Sequence, residues 1–282
     1  MFSRIQAIEE LPLGSAWRRT QGLTFALGLQ CVPVAAVEVR SVALALPMAL
    51  VPQSALGWQV MALMGLEPKS NACVGFQGQW VPRYIPAWLR SHPFARLEQA
   101  SGGLALGLLL SAVIPPSAAG DLTALRGEYE PLFEADGSLS PQVLQIQSFL
   151  QQVEQGVQAL SVAAAQLHAA GVLQLWVPKG AIVPREALWY QVNEPALNAL
   201  SAADFSALRA SGALALAYAQ LLSIGQWPVL CQLAVQQAQQ EAAPLPVAPV
   251  AQPMTPPPQS FVDPSALVFL DSLARSATED TY

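Results

Sequence analysis

Side chains that carry chemistry are scarce in this protein. Its 282 residues include two histidines, His92 and His168, and three cysteines, Cys31, Cys73 and Cys231. Charged residues make up 11%, against about 25% in an ordinary soluble domain. Each shortage excludes something. A Ser-His-Asp or Cys-His system needs a histidine beside a nucleophile, and neither histidine lies near a G-x-S-x-G elbow. There is no HExxH, no C-x-x-C and no two-histidine-one-carboxylate spacing, so no metal is implied. No G-x-G-x-x-G follows a strand and no P-loop occurs, so no cofactor is implied either. Three cysteines, far apart in apolar surroundings, make no disulfide framework; they read as reduced core residues. Basic residues number 13 against 19 acidic, a net charge of -6. That balance argues against nucleic acid as a partner.

Long uninterrupted apolar runs are missing as well. The stretch from 23 to 51 carries Glu38, Arg40, Pro33 and Pro47, and "LALGLLLSAVI" (104–114) is far short of a spanning helix. "MFSRIQAIEELPLG" places acids where a signal peptide needs an apolar core. The expectation is a cytoplasmic protein without a membrane span.

What the sequence does have is Ala, Leu, Val and Gln, with 53% hydrophobic residues and 24 prolines. Seven prolines crowd 241–260, a composition that favours extended polyproline II over helix or sheet. Three parts follow: a globular body over 1–240, a Pro-rich flexible linker over 241–260, and a short amphipathic helix over 261–282. Asp263 and Pro264 suit the start of that helix, and Leu267, Leu270 and Leu273 are its anchors. No internal repeat is visible.

In the body, "LTFAL" (23–27), "PMALV", "GWQVMALMG", "NACVGFQGQW" (71–80), "PFARLE" and "LALGLLL" are strand-length runs between turn residues. Residues 33–46 are ambiguous between helix and strand. Asp136-Gly137 marks a turn, Ser140 a cap and Pro141 the first turn of a helix over 141–170, stopped by Gly171. Val143, Ile146, Leu150, Val153, Val157, Leu160, Ala164 and Leu167 repeat three and four apart, a heptad seam. The seam needs a partner, which is either internal or a second copy, so a homo-oligomer through the 141–170 helix is open. His168 reads as a surface residue near the helix C-terminus. "VLQLWVP" and "ALWYQVN" are strands. Asn193 and Ser201 are cap candidates, and helices broken near Gly212 and Gly225 follow. The fold class is α+β: a mixed, mainly antiparallel sheet packed by the long heptad helix and a C-terminal helical group.

The densest stretch is "WVPRYIPAWLRSHPF" (80–94). Pro82 and Pro86 bracket Tyr84, which rules out a regular helix throughout. One reading is a rigid crossover with Trp80, Tyr84, Trp88 and Phe94 in the core. The other is a recognition surface made of Trp80, Arg83, Tyr84, Trp88, Arg90 and His92.

The runs 32–51, 64–94, 136–152 and 190–227, with Glu38 and the "YIPAWLRSHPF" pattern, resemble the SapC family of bacterial surface-layer-associated proteins. The resemblance covers about residues 10 to 235. It implies a part in the export or assembly of surface proteins and carries no catalytic residues. The resulting expectation is a non-enzymatic accessory protein that binds a protein or peptide partner during biogenesis or export of surface-layer or secreted proteins. The alternative is an enzyme acting on a peptide or protein, with 80–94 lining its cleft. A deep pocket collecting Glu38, Arg83, Tyr84 and His92 would favour the enzyme; an open groove would favour the binder.

The segment 264–275 is too short to hold a helix alone in water, yet it keeps apolar anchors. It is therefore expected to dock, in cis or in trans. Deleting 241–282 tests this. A gain in partner binding marks a plug over the partner site, and a loss marks a hook. Unchanged affinity, oligomeric state and amide-exchange protection would remove the docking role.

Overall fold

The computed structural model describes residues 5–53, 57–98, 103–116, 129–183 and 188–242. Its contacts divide the protein into Met1–Glu241 and Ala242–Tyr282. Leu267, Leu270 and Leu273 lie outside the described residues, as do the linker and the terminal helix expected from the sequence.

Strand β4 (Met48–Gln53) begins Met-Ala-Leu-Val, apolar at every position rather than alternating. Such a strand is covered on both faces, and these four residues are at most 2% exposed. It pairs with β5 (Gly57–Leu63) in the middle of a five-stranded sheet. That sheet also takes β3 (Cys31–Pro33), β10 (Leu173–Leu175) and β11 (Tyr190–Val192), in the order β10-β11-β4-β5-β3. A second sheet orders β1 (Ile5–Ala7), β7 (Leu104–Leu109) and β6 (Phe94–Glu98) as β1-β7-β6. A third joins β8 (Val113–Ile114), β2 (Ala16–Arg18) and β9 (Tyr129–Pro131). Every pairing among the described strands is antiparallel. The fold is α+β, with its strands shared among three sheets rather than one.

Helix α1 (Val39–Ala43) and the four-residue α2 (Ala87–Arg90) are short. The long helix is α3 (Pro141–Ala169). Ser140 caps it, accepting from Val143 N at 3.4 Å, and Gly171 ends it at φ +70, a conformation that suits glycine. The seam is spent inside the body. Val143 and Leu150 enter a cluster with Ile8, Trp17, Phe94 and Leu108. Val153 packs with Ala35 and Ala87. Leu160, Ala164 and Leu167 join the main core around β4 and β5. One helix thus threads three apolar clusters, and the homo-oligomer expected through 141–170 is left without its seam.

The C-terminal group is α4 (Glu194–Asn198), α5 (Ala202–Ala210), α6 (Ala213–Ile224) and α7 (Trp227–Ala242). Asn193 and Ser201 cap α4 and α5, accepting from Ala196 N and Asp204 N at 3.1 Å each. Helix α6 also completes the central sheet. Gln220 accepts from Val192 N at 3.0 Å and donates to Met48 O at 3.1 Å, while Ser223 Oγ accepts from Met48 N at 3.0 Å. These side chains satisfy backbone groups where β11 and β4 share a single residue pair.

Two expected strands are absent. Residues 24–26 form a 3-10 turn, with Leu23 N donating to Gly78 O at 2.7 Å. Residues 71–80 are a turn-rich loop with one isolated bridge, Val74 to Trp80. Buried Asn71 holds that loop, donating to Ala26 O at 2.9 Å and accepting from Cys73 N at 2.9 Å. An Asn side group that bonds nearby backbone competes with a ladder.

Gly156 marks where α3 comes closest to the turn at 35–38. A Cβ there would sit 2.9 Å from Ala36 N and 3.0 Å from Ala35 Cβ. Gly156→Ala gains about 1 kcal/mol of helix propensity and loses about 1 to 3 kcal/mol to overpacking. The expected result is a net loss near 1 kcal/mol, or a fall of about 3 °C in thermal midpoint. Calorimetry showing an equal or higher midpoint would mean that the turn yields freely.

Candidate functional site

The 80–94 segment is organised by a carboxylate far upstream in the sequence. Glu38 is 2% exposed. Its Oε1 accepts from Ala35 N at 3.0 Å, which closes the 3-10 turn Ala36–Glu38. Its Oε2 accepts from Ala87 N at 2.7 Å and from the Tyr84 hydroxyl at 3.0 Å. A buried carboxyl group is tolerated only with such partners. Tyr84 then accepts from Arg90 Nη2 at 3.0 Å, and the Arg90 guanidinium lies over the rings of Tyr84 and Phe149, at 5.6 and 5.3 Å. Burial raises the Tyr84 phenol above its ordinary pKa. The charge and hydrogen bond of Glu38 push the same way, and Arg90 opposes them. Tyr84 thereby stays a neutral donor. Trp80 is half-buried and donates to Tyr84 O at 2.9 Å.

Trp88 is 41% exposed. His92 precedes a cis proline and stacks on Phe25, with ring centroids 3.6 Å apart and planes 8° from parallel. Its Nδ1 is 3.0 Å from Thr20 Oγ. Burial depresses His92 to about 4, so the ring is neutral near pH 7. Three clefts meet at this residue. An apolar groove of about 510 Å³ runs beside Trp88, Pro93 and Ala95 and is floored by Leu150, Val153 and Val157. A polar cleft of about 530 Å³ holds Arg18, Arg19, Thr20 and Ser111. A third, of about 350 Å³, lies between Arg90, Phe149 and Glu130. Arg19 donates to Glu130 at 2.7 Å, and Arg18 donates to the Tyr129 hydroxyl at 3.0 Å while its guanidinium lies over that ring.

The sequence-predicted residues therefore separate. Trp80 and Tyr84 are internal props. Arg83 is exposed and lines none of these clefts. Trp88, Arg90 and His92 line the surface. Exposed and buried positions alternate along the stretch: Val81, Arg83, Trp88 and Arg90 are exposed, while Ala87, Leu89 and Phe94 are buried. Arg18, Arg19, Thr20, Phe25 and the face of α3 were missed. The adjacent arginines in "WRRT" (17–20) are the one signal that pointed there, a doublet in a sequence so poor in charge.

Glu38, Arg83, Tyr84 and His92 do not come together in any of these clefts. Glu38 is fully engaged beneath the surface, while His92 and Arg83 lie apart from it. Among the described residues, no group of three His, Cys, Asp or Glu could hold a metal ion. Burial pushes the Cys31 thiol up to about 11 and raises Cys73 and Cys231 as well, so none is a ready thiolate. His168 is exposed at the end of α3 and packs on Trp58, with centroids 4.8 Å apart. No single described helix is long and apolar enough to cross a membrane.

These features define a class: an α+β body whose most distinctive loop borders three partly open clefts. The particular family is SapC, whose model matches residues 14–230, and the protein belongs to it. Neither the curated proteins nor the solved structures contain a match.

Glu38→Gln tests the anchor. An amide offers one acceptor oxygen, yet Ala35 N–H and Ala87 N–H approach opposite ends of the group. Either orientation therefore sets an NH2 against a backbone donor. A loss of about 2 to 3 kcal/mol is expected in urea unfolding, the usual cost of stranding a buried donor. A change below about 0.5 kcal/mol would mean that the site relaxes without the carboxylate.

Proposed function

We propose that this SapC-family protein is a non-enzymatic accessory factor that holds an apolar segment of another protein. The observation that carries the reading is the open groove floored by Leu150, Val153 and Val157, with Trp88 standing 41% exposed at its side. A large aromatic left in water beside an apolar trough is the usual anchor of a protein interface. The arginines around His92 add polar contacts at the rim. The family resemblance supplies the setting: biogenesis or export of surface-layer or secreted proteins, with the factor acting in the cytoplasm before the partner leaves.

Two further features support binding over catalysis. Glu38 is consumed by hydrogen bonds that shape the loop, and the depressed pKa of His92 leaves it unprotonated where a general acid would need its proton.

The test is a paired pull-down from the native host, with wild-type and Trp88→Ala baits, read by quantitative mass spectrometry. Trp88→Ala is expected to keep the melting point within about 2 °C, because Trp88 belongs to none of the three apolar clusters. It should lose at least about tenfold of any exported or surface protein that the wild type retains, the scale of a single interface anchor. Equal recovery on both baits would overturn the groove as the binding surface.

A further inference from the structure

The apolar groove runs along an open sheet edge. Strand β6 ends the β1-β7-β6 sheet, and among the described residues no strand pairs with its outer side. The ladder with β7 fixes which backbone groups face out. Leu109 N donates to Pro93 O at 3.1 Å. In this antiparallel register Pro93, Ala95 and Leu97 therefore turn their N–H and C=O toward β7, and Phe94, Arg96 and Glu98 turn theirs away. Phe94 N is taken by Ser91 O at 2.8 Å. That leaves the Phe94 carbonyl, both backbone groups of Arg96 and the Glu98 N–H along the edge. Phe94, Ala95 and Arg96 all line the apolar groove.

An unpaired edge beside an apolar trough is what an added strand requires. Backbone bonds supply affinity, and alternate side chains drop into the trough. A docked helix would satisfy its own backbone and leave the edge groups unused. The charged side chains of Arg96 and Glu98 keep such an edge from pairing indiscriminately, and Arg96 is held aside by Glu154, its Nε 3.3 Å from Oε2.

Resting on the groove-binding reading above, we infer that the partner binds as an extended strand added to the outer edge of β6, with apolar side chains at alternate positions in the groove.

The probes are fluorescein-labelled heptapeptides selected on the full-length protein from a degenerate library. The library carries Leu, Val, Ile or Phe at alternate positions; binding is read by fluorescence anisotropy. The decisive variants are Arg96→Ala and Arg96→Pro. Both remove the guanidinium and its ion pair. Only proline removes the outward N–H, and it leaves the β6–β7 ladder intact because that N–H does not point to β7. Arg96→Pro is expected to bind at least about tenfold more weakly than Arg96→Ala, the scale of a lost backbone hydrogen bond plus a stranded partner. Methylating the peptide at alternate backbone nitrogens should abolish binding in one register and spare it in the other, a readout that does not depend on how the proline variant folds.

Peptides that bind Arg96→Pro and Arg96→Ala alike, or that tolerate every N-methyl group, would overturn strand addition while leaving the groove as a binding surface. If no peptide is retained, the groove reading and this inference fall together.

Discussion

One buried carboxylate holds the surface loop of this protein to its core. Glu38 bridges a turn that ends at residue 38 and a loop that begins at residue 84, and each of its oxygens accepts a backbone N–H. The interaction is costly in isolation, since desolvating a carboxyl group opposes folding. It becomes favourable because three donors converge on it, and that convergence is what orders the loop. Ala87 N–H sets the start of α2, the Tyr84 hydroxyl passes the constraint to Arg90, and Arg90 settles over Phe149 of α3. Trp88 and His92 emerge from this frame at fixed positions. The close approach at Gly156 belongs to the same arrangement, because the turn that carries Glu38 rests on α3 where no bulky group intervenes.

Helix α3 explains why so small a charge content suffices. It runs 29 residues and packs in turn against the cluster around Trp17 and Phe94, the patch of Ala35 and Ala87, and the main core. A helix that serves three clusters must be apolar along one continuous stripe. That requirement produces the same three-four spacing as a coiled coil. Periodicity reports that a face is buried; it cannot report whether strands, loops or another helix bury it.

The same distinction separates what was legible in the sequence from what was not. Local signals carried through. Ser140-Pro141, Asn193, Ser201 and Gly171 act where expected, because a cap or a stop depends on its immediate neighbours. Central strands β4 and β5 and edge strand β6 were visible as apolar runs. The three-residue strands β10 and β11 were visible too, but β1, β2, β3 and β9 were not. β2 exists because Ala16 and Trp17 meet Pro131 and Glu130, more than a hundred residues away, and no local pattern announces that. Residues 71–80 misled because Cys73, Val74 and Trp80 look strand-like, while buried Asn71 commits the backbone to turns. At the site, the 80–94 stretch stood out by composition. What composition could not supply was direction: Tyr84 turns in toward Glu38, Trp88 turns out, and the face is completed by Thr20 and Phe25 from the N-terminal region.

The chemistry available at this face bears on what it is for. Stacking on Phe25 and partial burial leave His92 a poor proton carrier near neutrality. The thiols are raised by burial, and Glu38 has its acceptors filled. Shape, aromatic surface, fixed arginines and an open strand edge are what the site offers in quantity. Those are the means by which a protein selects among extended segments: backbone groups set the register and a trough reads alternate side chains. Under the proposed function, a partner held unfolded before export would present such a segment.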